Sequence, residues 1–287
     1  VQVLWTREDD FRNASYRPAA AIELQAELNA RGMPVGWQHR IACGVHRLTV
    51  HDGHDDIAVR GAKDLPYRIA SMIVEWRAVE LPIPVTMWRS VGASFNTFAV
   101  ESFLDELAEV AVDDPVEFRL KLLNESLHVR HVLERVASLS GSPGVGAHLG
   151  VAVHHLFGDT AVAMVVEVAP DPSQAFRVCK VWCVVDCGIV VNPDIARAQL
   201  EGGIMDGLSV ALYGGLSISD NAVQQGNFHR YRMLRMDQAP EIEIELIHSN
   251  RSPSGLGEAS LPAVAPALAN AVFSLTGKRM RTLPMLG

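Results

Sequence analysis

The chain has 287 residues, enough for one large or two ordinary domains, and its 48% hydrophobic and 20% charged residues imply a sizeable core. A formal net charge of −8 and the lack of any Lys/Arg cluster argue against a nucleic-acid partner. No apolar run approaches the roughly 18 residues of a membrane helix, so no transmembrane segment is expected. No signal peptide is visible, and the start Val1-Gln2-Val3-Leu4-Trp5, without methionine, points to a processed or cut polypeptide that leaves the compartment, cytoplasmic or periplasmic, open.

Taken in order, residues 1–5 read as extended and Thr6–Asp10 as a turn. Residues 19–28 fit a strand or a short helix, and Arg31-Gly32-Met33-Pro34 is a turn. Residues 44–66 look like loop. The stretch His51-Asp52-Gly53-His54-Asp55-Asp56 within them matches no metal-ligand spacing and reads as solvated. A strand over 69–76 and a proline-restricted extended segment over 81–85 lead to a glycine-containing turn that carries Arg89. Phe95 to Val112 predicts an amphipathic helix, and Asp113-Asp114-Pro115 stops it and caps a second helix over 116–123. A third covers 128–138, and Ser138 to Gly146 forms the linker.

Strands are predicted at 148–156, 160–169 and 176–186. Asn192-Pro193 then opens a helix that runs to Leu212. Its Gly202, Gly203 and Gly207 imply close packing or a nearby ligand, because an interior helical glycine costs about 1 kcal/mol relative to alanine. A strand near 215–218, a turn at 219–221 and a strand over 241–247 with a solvated acidic face follow. Cys179, Cys183 and Cys187 share one face of a strand and read as small buried hydrophobes. Residues four apart on one strand stand roughly 13 Å from each other, too far for a disulfide. His154 and His155 point to opposite sides of their strand, one of them into the core.

Glu258 follows Gly255-Leu256-Gly257 on a Gly- and Pro-rich loop that feeds a nearly all-apolar helix after Pro266. Such a carboxylate would be desolvated, its pKa would rise, and it could act as a base near neutral pH. Arg89 beside Gly92, Gln199 beside Gly202-Gly203, and Glu258 after Gly257 each pair a polar side chain with glycines that let backbone approach a polyanionic ligand.

Four stretches, in this order, carry a family resemblance: Leu4-Trp5-Thr6-Arg7-Glu8-Asp9-Asp10; Trp88-Arg89-Ser90-Val91-Gly92 with Phe98 to Leu107; Val185-Asp186-Cys187-Gly188 through Gln199-Leu200-Glu201-Gly202-Gly203; and Gly257-Glu258 through Ala271. The chain resembles the C-terminal half of the large, molybdenum-binding subunit of the xanthine dehydrogenase/aldehyde oxidase family. Within it, the branch that looks nearest holds isoquinoline 1-oxidoreductase β subunits and bacterial molybdenum aldehyde dehydrogenases. The resemblance implies an oxidoreductase that oxidises an N-heterocyclic aromatic or an aldehyde with oxygen from water. Its cofactor would be molybdopterin, with the cytosine dinucleotide form among the options, and electrons would pass to iron–sulfur clusters on a partner chain.

By the same resemblance Glu258 is the catalytic base. Arg89, Ser90, Val91 and Gly92 form the loop beside the molybdenum, and Gln199 and Gly257 contact the cofactor; no residue is assigned as a metal ligand. The family's Gly-rich and Gln-Gly cofactor loops are expected upstream of this sequence. The implied partners are therefore a small-molecule substrate, the N-terminal half of the molybdenum subunit and a small 2Fe-2S subunit. The expected fold is α+β, two molybdopterin-binding subdomains of mixed sheet with flanking helices. Residues 1–137 form the first, incomplete one, and residues 147–287 the second, which carries the Glu258 loop. The alternative is a non-catalytic fragment or scaffold of the same fold that binds no cofactor alone.

Overall fold

Near-continuous apolar runs in adjacent strands build a sheet that is buried on both faces. The computed structural model of the chain describes residues 1–44, 50–51, 54–156 and 159–286. Strands β6 (His148–Leu156), β7 (Thr160–Ala169) and β8 (Arg177–Asp186) pair antiparallel, and β11 (Glu241–Leu246) adds parallel to β8, giving the order β11-β8-β7-β6. Val162, Met164, Val166, Val181, Cys183 and Val185 face one core, while Ala163, Val165, Trp182 and Val184 face the other.

The first core is closed by α5 (Pro193–Leu212) and α6 (Leu261–Thr276). Residues 261–272 of α6 are buried without exception, as expected of a helix apolar all round. The second core is closed by α2 (Ala93–Val110), α3 (Pro115–Leu122) and α4 (Leu127–Ser140), so apolar packing continues across the Ser138–Gly146 joint. A second sheet, ordered β1-β2-β5, joins β1 (Ala20–Leu28) antiparallel to β2 (Pro34–Gly44), and β2 parallel to β5 (Ser71–Val79). Short pairs β3 (Val50–His51) with β4 (His54–Asp55), and β9 (Ile218–Ser219) with β10 (Ala222–Val223), complete the strands among the described residues. The architecture is the expected α+β one of mixed sheets with flanking helices.

Several local expectations change. Val1–Trp5 joins no sheet and is exposed, and Thr6–Asp10 opens helix α1 (Arg7–Asn13). The reason is a capping box: Thr6 Oγ1 accepts the Asp9 N–H, and Asp9 accepts the Thr6 N–H. Helix α6 begins at Leu261, before Pro266 and not after it. Pro262 fits the first turn, and burial of the whole helix outweighs the hydrogen bond lost at Pro266. Asp52 and Gly53 lie outside the described residues, while Asp55 is buried and accepts the Ile57 and Ala58 N–H groups instead of being solvated. Cys183 and Cys187 are buried as expected, Cys179 is half-buried, and burial pushes the Cys183 thiol up to about 12.

Glu101 joins the helices to the central sheet. Its carboxylate is buried and accepts Tyr67 Oη–H at 2.7 Å, Arg119 Nε–H at 2.9 Å and the Val153 N–H of β6 at 3.0 Å. Asn270 of α6 donates to Val151 O at 3.0 Å. Replacing buried Arg119 by Met leaves the buried Glu101 carboxyl without its cation partner, and we expect a loss of about 3–5 kcal/mol in urea unfolding.

His39 and His154 are also buried, and burial lowers their imidazoles to about 4 and about 3 from an ordinary 6.5. Both are neutral in the fold and take up protons on unfolding. The stability they provide is complete above pH 6.5 and is lost as the pH falls toward their folded values. Between pH 6 and 5, urea titrations should lose about 1 kcal/mol per pH unit for each histidine, and His39→Leu should remove its share of that slope.

Candidate functional site

The turn between β5 and α2 is held in a conformation its residue types disfavour. Ser90 has φ 72° and Val91 has φ 42°, and a β-branched residue at positive φ is an outlier kept only where its surroundings over-determine it. Those surroundings are visible. Gly92 N–H donates to Ile57 O at 3.2 Å, and a Cβ there would lie 2.4 Å from the carbonyl oxygens of Ile57 and Ala58. Ser94 Oγ–H donates to Val91 O at 2.7 Å, and Asn96 fixes the 58–60 segment through Ala58 O and Arg60 O, both at 2.8 Å.

This turn closes on the Glu258 loop, 168 residues away in sequence. Ser90 N–H donates to Glu258 Oε2 at 2.6 Å, and Ser90 Oγ–H donates to Glu258 O at 2.7 Å. Arg89 Nε–H donates to Gly257 O at 2.7 Å. Its other nitrogens reach Asp206 Oδ2 at 2.7 Å and Gln199 O at 3.1 Å, both on α5. Thus Arg89, Ser90, Gln199, Gly257 and Glu258, expected from the sequence, meet in one place, with Ser90 and Val91 supplying the strained backbone and Gly92 its close packing under Ile57 and Ala58. Glu258 is half-buried, a correction to the desolvated carboxylate the sequence suggests, because the loop that carries it is exposed at Ser252, Pro253, Gly255 and Gly257. Its orientation comes from the Ser90 N–H.

Two contributors were not anticipated. Asp206 pairs with Arg89, and buried Ser260 donates to Leu200 O at 3.0 Å, tying the start of α6 to α5. Asp206 could have been read from its position, since Gln199, Gly202, Gly203 and Asp206 lie three and four apart on one helix face. Ser260 carried no such signal.

The glycines of α5 separate into two kinds. A Cβ at Gly203 would meet Ser260 Oγ at 2.3 Å, and one at Gly207 would meet Val264 Cβ at 2.8 Å, so both permit the close α5–α6 crossing. Gly202 and Gly257 are exposed, carry no positive φ, and have nothing nearer than 4.0 Å (Arg89) and 3.8 Å (Gln199). Neither packing nor backbone geometry requires glycine at those two positions. With the exposed Gln199 carboxamide near both, they leave exposed glycine backbone close to Glu258.

Residues 147–240 match the family of molybdopterin cofactor-binding domains. The chain is 34% identical, over 99% of its length, to the isoquinoline 1-oxidoreductase subunit beta of Brevundimonas diminuta, and covers 38% of that protein. It is 29% identical, again over 99% of its length, to a membrane-bound aldehyde dehydrogenase of Gluconacetobacter polyoxogenes whose name specifies pyrroloquinoline quinone, and covers 41% of it. The chain therefore spans about two fifths of these curated relatives. Its fold superposes on quinoline 2-oxidoreductase from Pseudomonas putida 86 with a TM-score of 0.84 at 12% identity, covering 98% of this chain and 63% of that one.

The two kinds of glycine give opposite stability outcomes. Gly203→Ala should cost about 1–3 kcal/mol in thermal or urea unfolding, as overpacking does. Gly202→Ala should be neutral or gain up to about 1 kcal/mol from helix propensity.

Proposed function

Since the chain belongs to the family of molybdopterin-binding subunits that includes isoquinoline 1-oxidoreductase subunit β, we propose that it is the base-bearing part of a molybdenum hydroxylase. The observation that carries this reading is the Glu258 carboxylate, oriented by the Ser90 N–H beside the uncovered backbone of Gly202 and Gly257. Gln199 and the open Gly202 and Gly257 backbone would hold the pterin end of the cofactor. When bound, molybdenum supplies the two-electron redox chemistry and the activation of water.

The residues of this chain do the rest. Glu258 takes a proton, as a general base placed by the Ser90 N–H. Arg89 keeps the Glu258 loop in register with α5 through Gly257 O and Asp206. Arg89, Ser90, Val91 and Gly92 would form the turn beside the molybdenum. In this reading residues 1–137 and 147–287 are the two cofactor-binding subdomains, and the remaining cofactor wall comes from the N-terminal half of the subunit. The substrate is an N-heterocycle or an aldehyde, as the names of the two relatives indicate for those proteins, and electrons leave to an iron–sulfur partner. The second reading, a scaffold of this fold without catalysis, has one observation in its favour: each Arg89 nitrogen already donates to the protein itself.

Metal analysis of the protein purified from its host, with identification of what co-purifies, separates the two. Stoichiometric molybdenum with an iron–sulfur partner supports the hydroxylase. Absence of both leaves the scaffold, and pyrroloquinoline quinone in place of molybdenum overturns the cofactor assignment. In the loaded enzyme Glu258→Gln should lower kcat roughly 10²–10⁴-fold with molybdenum content and unfolding midpoint unchanged, and near-normal turnover would remove Glu258 from the role of base.

A further inference from the structure

Arg17 reaches both ends of the strained turn from outside it. Pro18 restricts the Arg17 backbone to extended conformations. Tyr16, on its other side, is tied to the segment that leads into the turn: Tyr16 N–H donates to Pro84 O and Thr86 N–H to Tyr16 O, both at 2.9 Å. From that fixed base the guanidinium lies 4.5 Å from the centroid of the Trp88 ring, within cation–π range. It also donates an N–H to Ser94 Oγ at 3.1 Å. Burial pulls the guanidinium down to about 10, so it remains charged at neutral pH. Trp88 and Ser94 are where the turn begins and ends. Val91 N–H donates to Trp88 O at 2.7 Å, and Ser94 Oγ–H donates to Val91 O, also at 2.7 Å.

The two hydrogen bonds at Ser94 run in series. Its buried hydroxyl accepts from a cation and donates to the carbonyl of Val91. A hydroxyl that accepts from a charged donor is polarised and becomes a stronger donor itself. Between the two held ends stand Ser90 and Val91 in left-handed conformations. Each costs on the order of 1–3 kcal/mol and lasts only where its surroundings over-determine it. The N–H between them and Arg89 is the one that Ser90 donates to Glu258 Oε2 at 2.6 Å, and a relaxed turn would point it elsewhere.

We propose that Arg17 is a positioning residue for Glu258: by clamping Trp88 and Ser94 it keeps the Ser90 N–H aimed at the carboxylate. Its part in catalysis rests on the hydroxylase reading, whereas the clamp on the turn does not.

Two measurements on the protein, purified in its native assembly, test this with the variants Arg17→Met, Arg17→Lys and Ser94→Ala. The first is amide hydrogen exchange. Exchange over residues 88–94 that is roughly tenfold faster in Arg17→Met, with α4 unchanged, supports the clamp, and unchanged exchange over 88–94 overturns it. The second is oxidation of isoquinoline and of benzaldehyde with an artificial electron acceptor, expressed per bound molybdenum. In Arg17→Met kcat should fall roughly 10–100-fold with KM within about twofold. Arg17→Lys, which keeps a cation and a donor for Ser94, should restore part of the loss. Adding Ser94→Ala to Arg17→Met should cost little more, because both remove the same link. Normal kcat per molybdenum in Arg17→Met, or losses that multiply in the double variant, overturns the positioning role. Should Arg17→Met fail to fold, Ser94→Ala, which breaks the hold at one end of the turn, carries both measurements under the same criteria. A protein that holds no molybdenum or oxidises neither compound ends the hydroxylase reading, and hydrogen exchange alone then decides the clamp.

Discussion

The buried Glu101 carboxylate is the point on which the rest of the structure depends. It takes three donors from three places: a tyrosine ahead of β5, an arginine on α3 and the backbone of β6. A charge in that position is tolerated only because it is fully paired. Its consequence is positional. Helix α2, which carries Glu101, begins at Ala93, directly after the turn that meets Glu258, so fixing the helix against the sheet fixes the turn as well. Helix α6, which continues from the Glu258 loop, packs directly on α2, and its Asn270 links it to β6. The two loops of the site are thus the two ends of one braced assembly.

Within that assembly the site itself is assembled from backbone as much as from side chains. The Glu258 carboxylate is aimed by an amide N–H that would point elsewhere if Ser90 and Val91 adopted ordinary conformations. Gly92 under the Ile57 and Ala58 carbonyls, and the Ser94 hydroxyl on Val91 O, hold the turn in place. Arg89 then spans from this turn to α5, so three separate segments are held in one geometry.

Periodicity made the helices and the central strands legible. The Asn192-Pro193 and Asp114-Pro115 caps, the near-continuous apolar runs in 160–169 and 177–186, and the apolar run of α6 each stand alone as local signals. Strand β2 was not read, because Pro34, Gly36, Gln38 and His39 break any apolar alternation, and only its place between β1 and β5 makes it a strand. Pairing of Glu258 with Ser90 had no local signal either, since nothing in Arg-Ser-Val-Gly announces two residues at positive φ. The site residues could be named from motifs, but their contacts depend on long-range packing. Whether Gly202 or Gly203 served packing could be decided only once Ser260 lay against one and open surface against the other.

The closure of Ser90 on Glu258 also sets an order in time. A chain made from its N-terminus exposes residues 88–92 long before residues 257–258 exist, and helix α6, which follows them, emerges last of the regular elements. Until α6 docks on the sheet, the turn lacks the carboxylate and the carbonyl that Ser90 binds, and its left-handed pair is unsupported from that side. The carboxylate and the amide that orients it therefore come into being together, in a late contact of large sequence separation. A polypeptide released before that contact forms would hold Arg89, Ser90 and Gln199 but not the closure on Glu258 that joins them into a site.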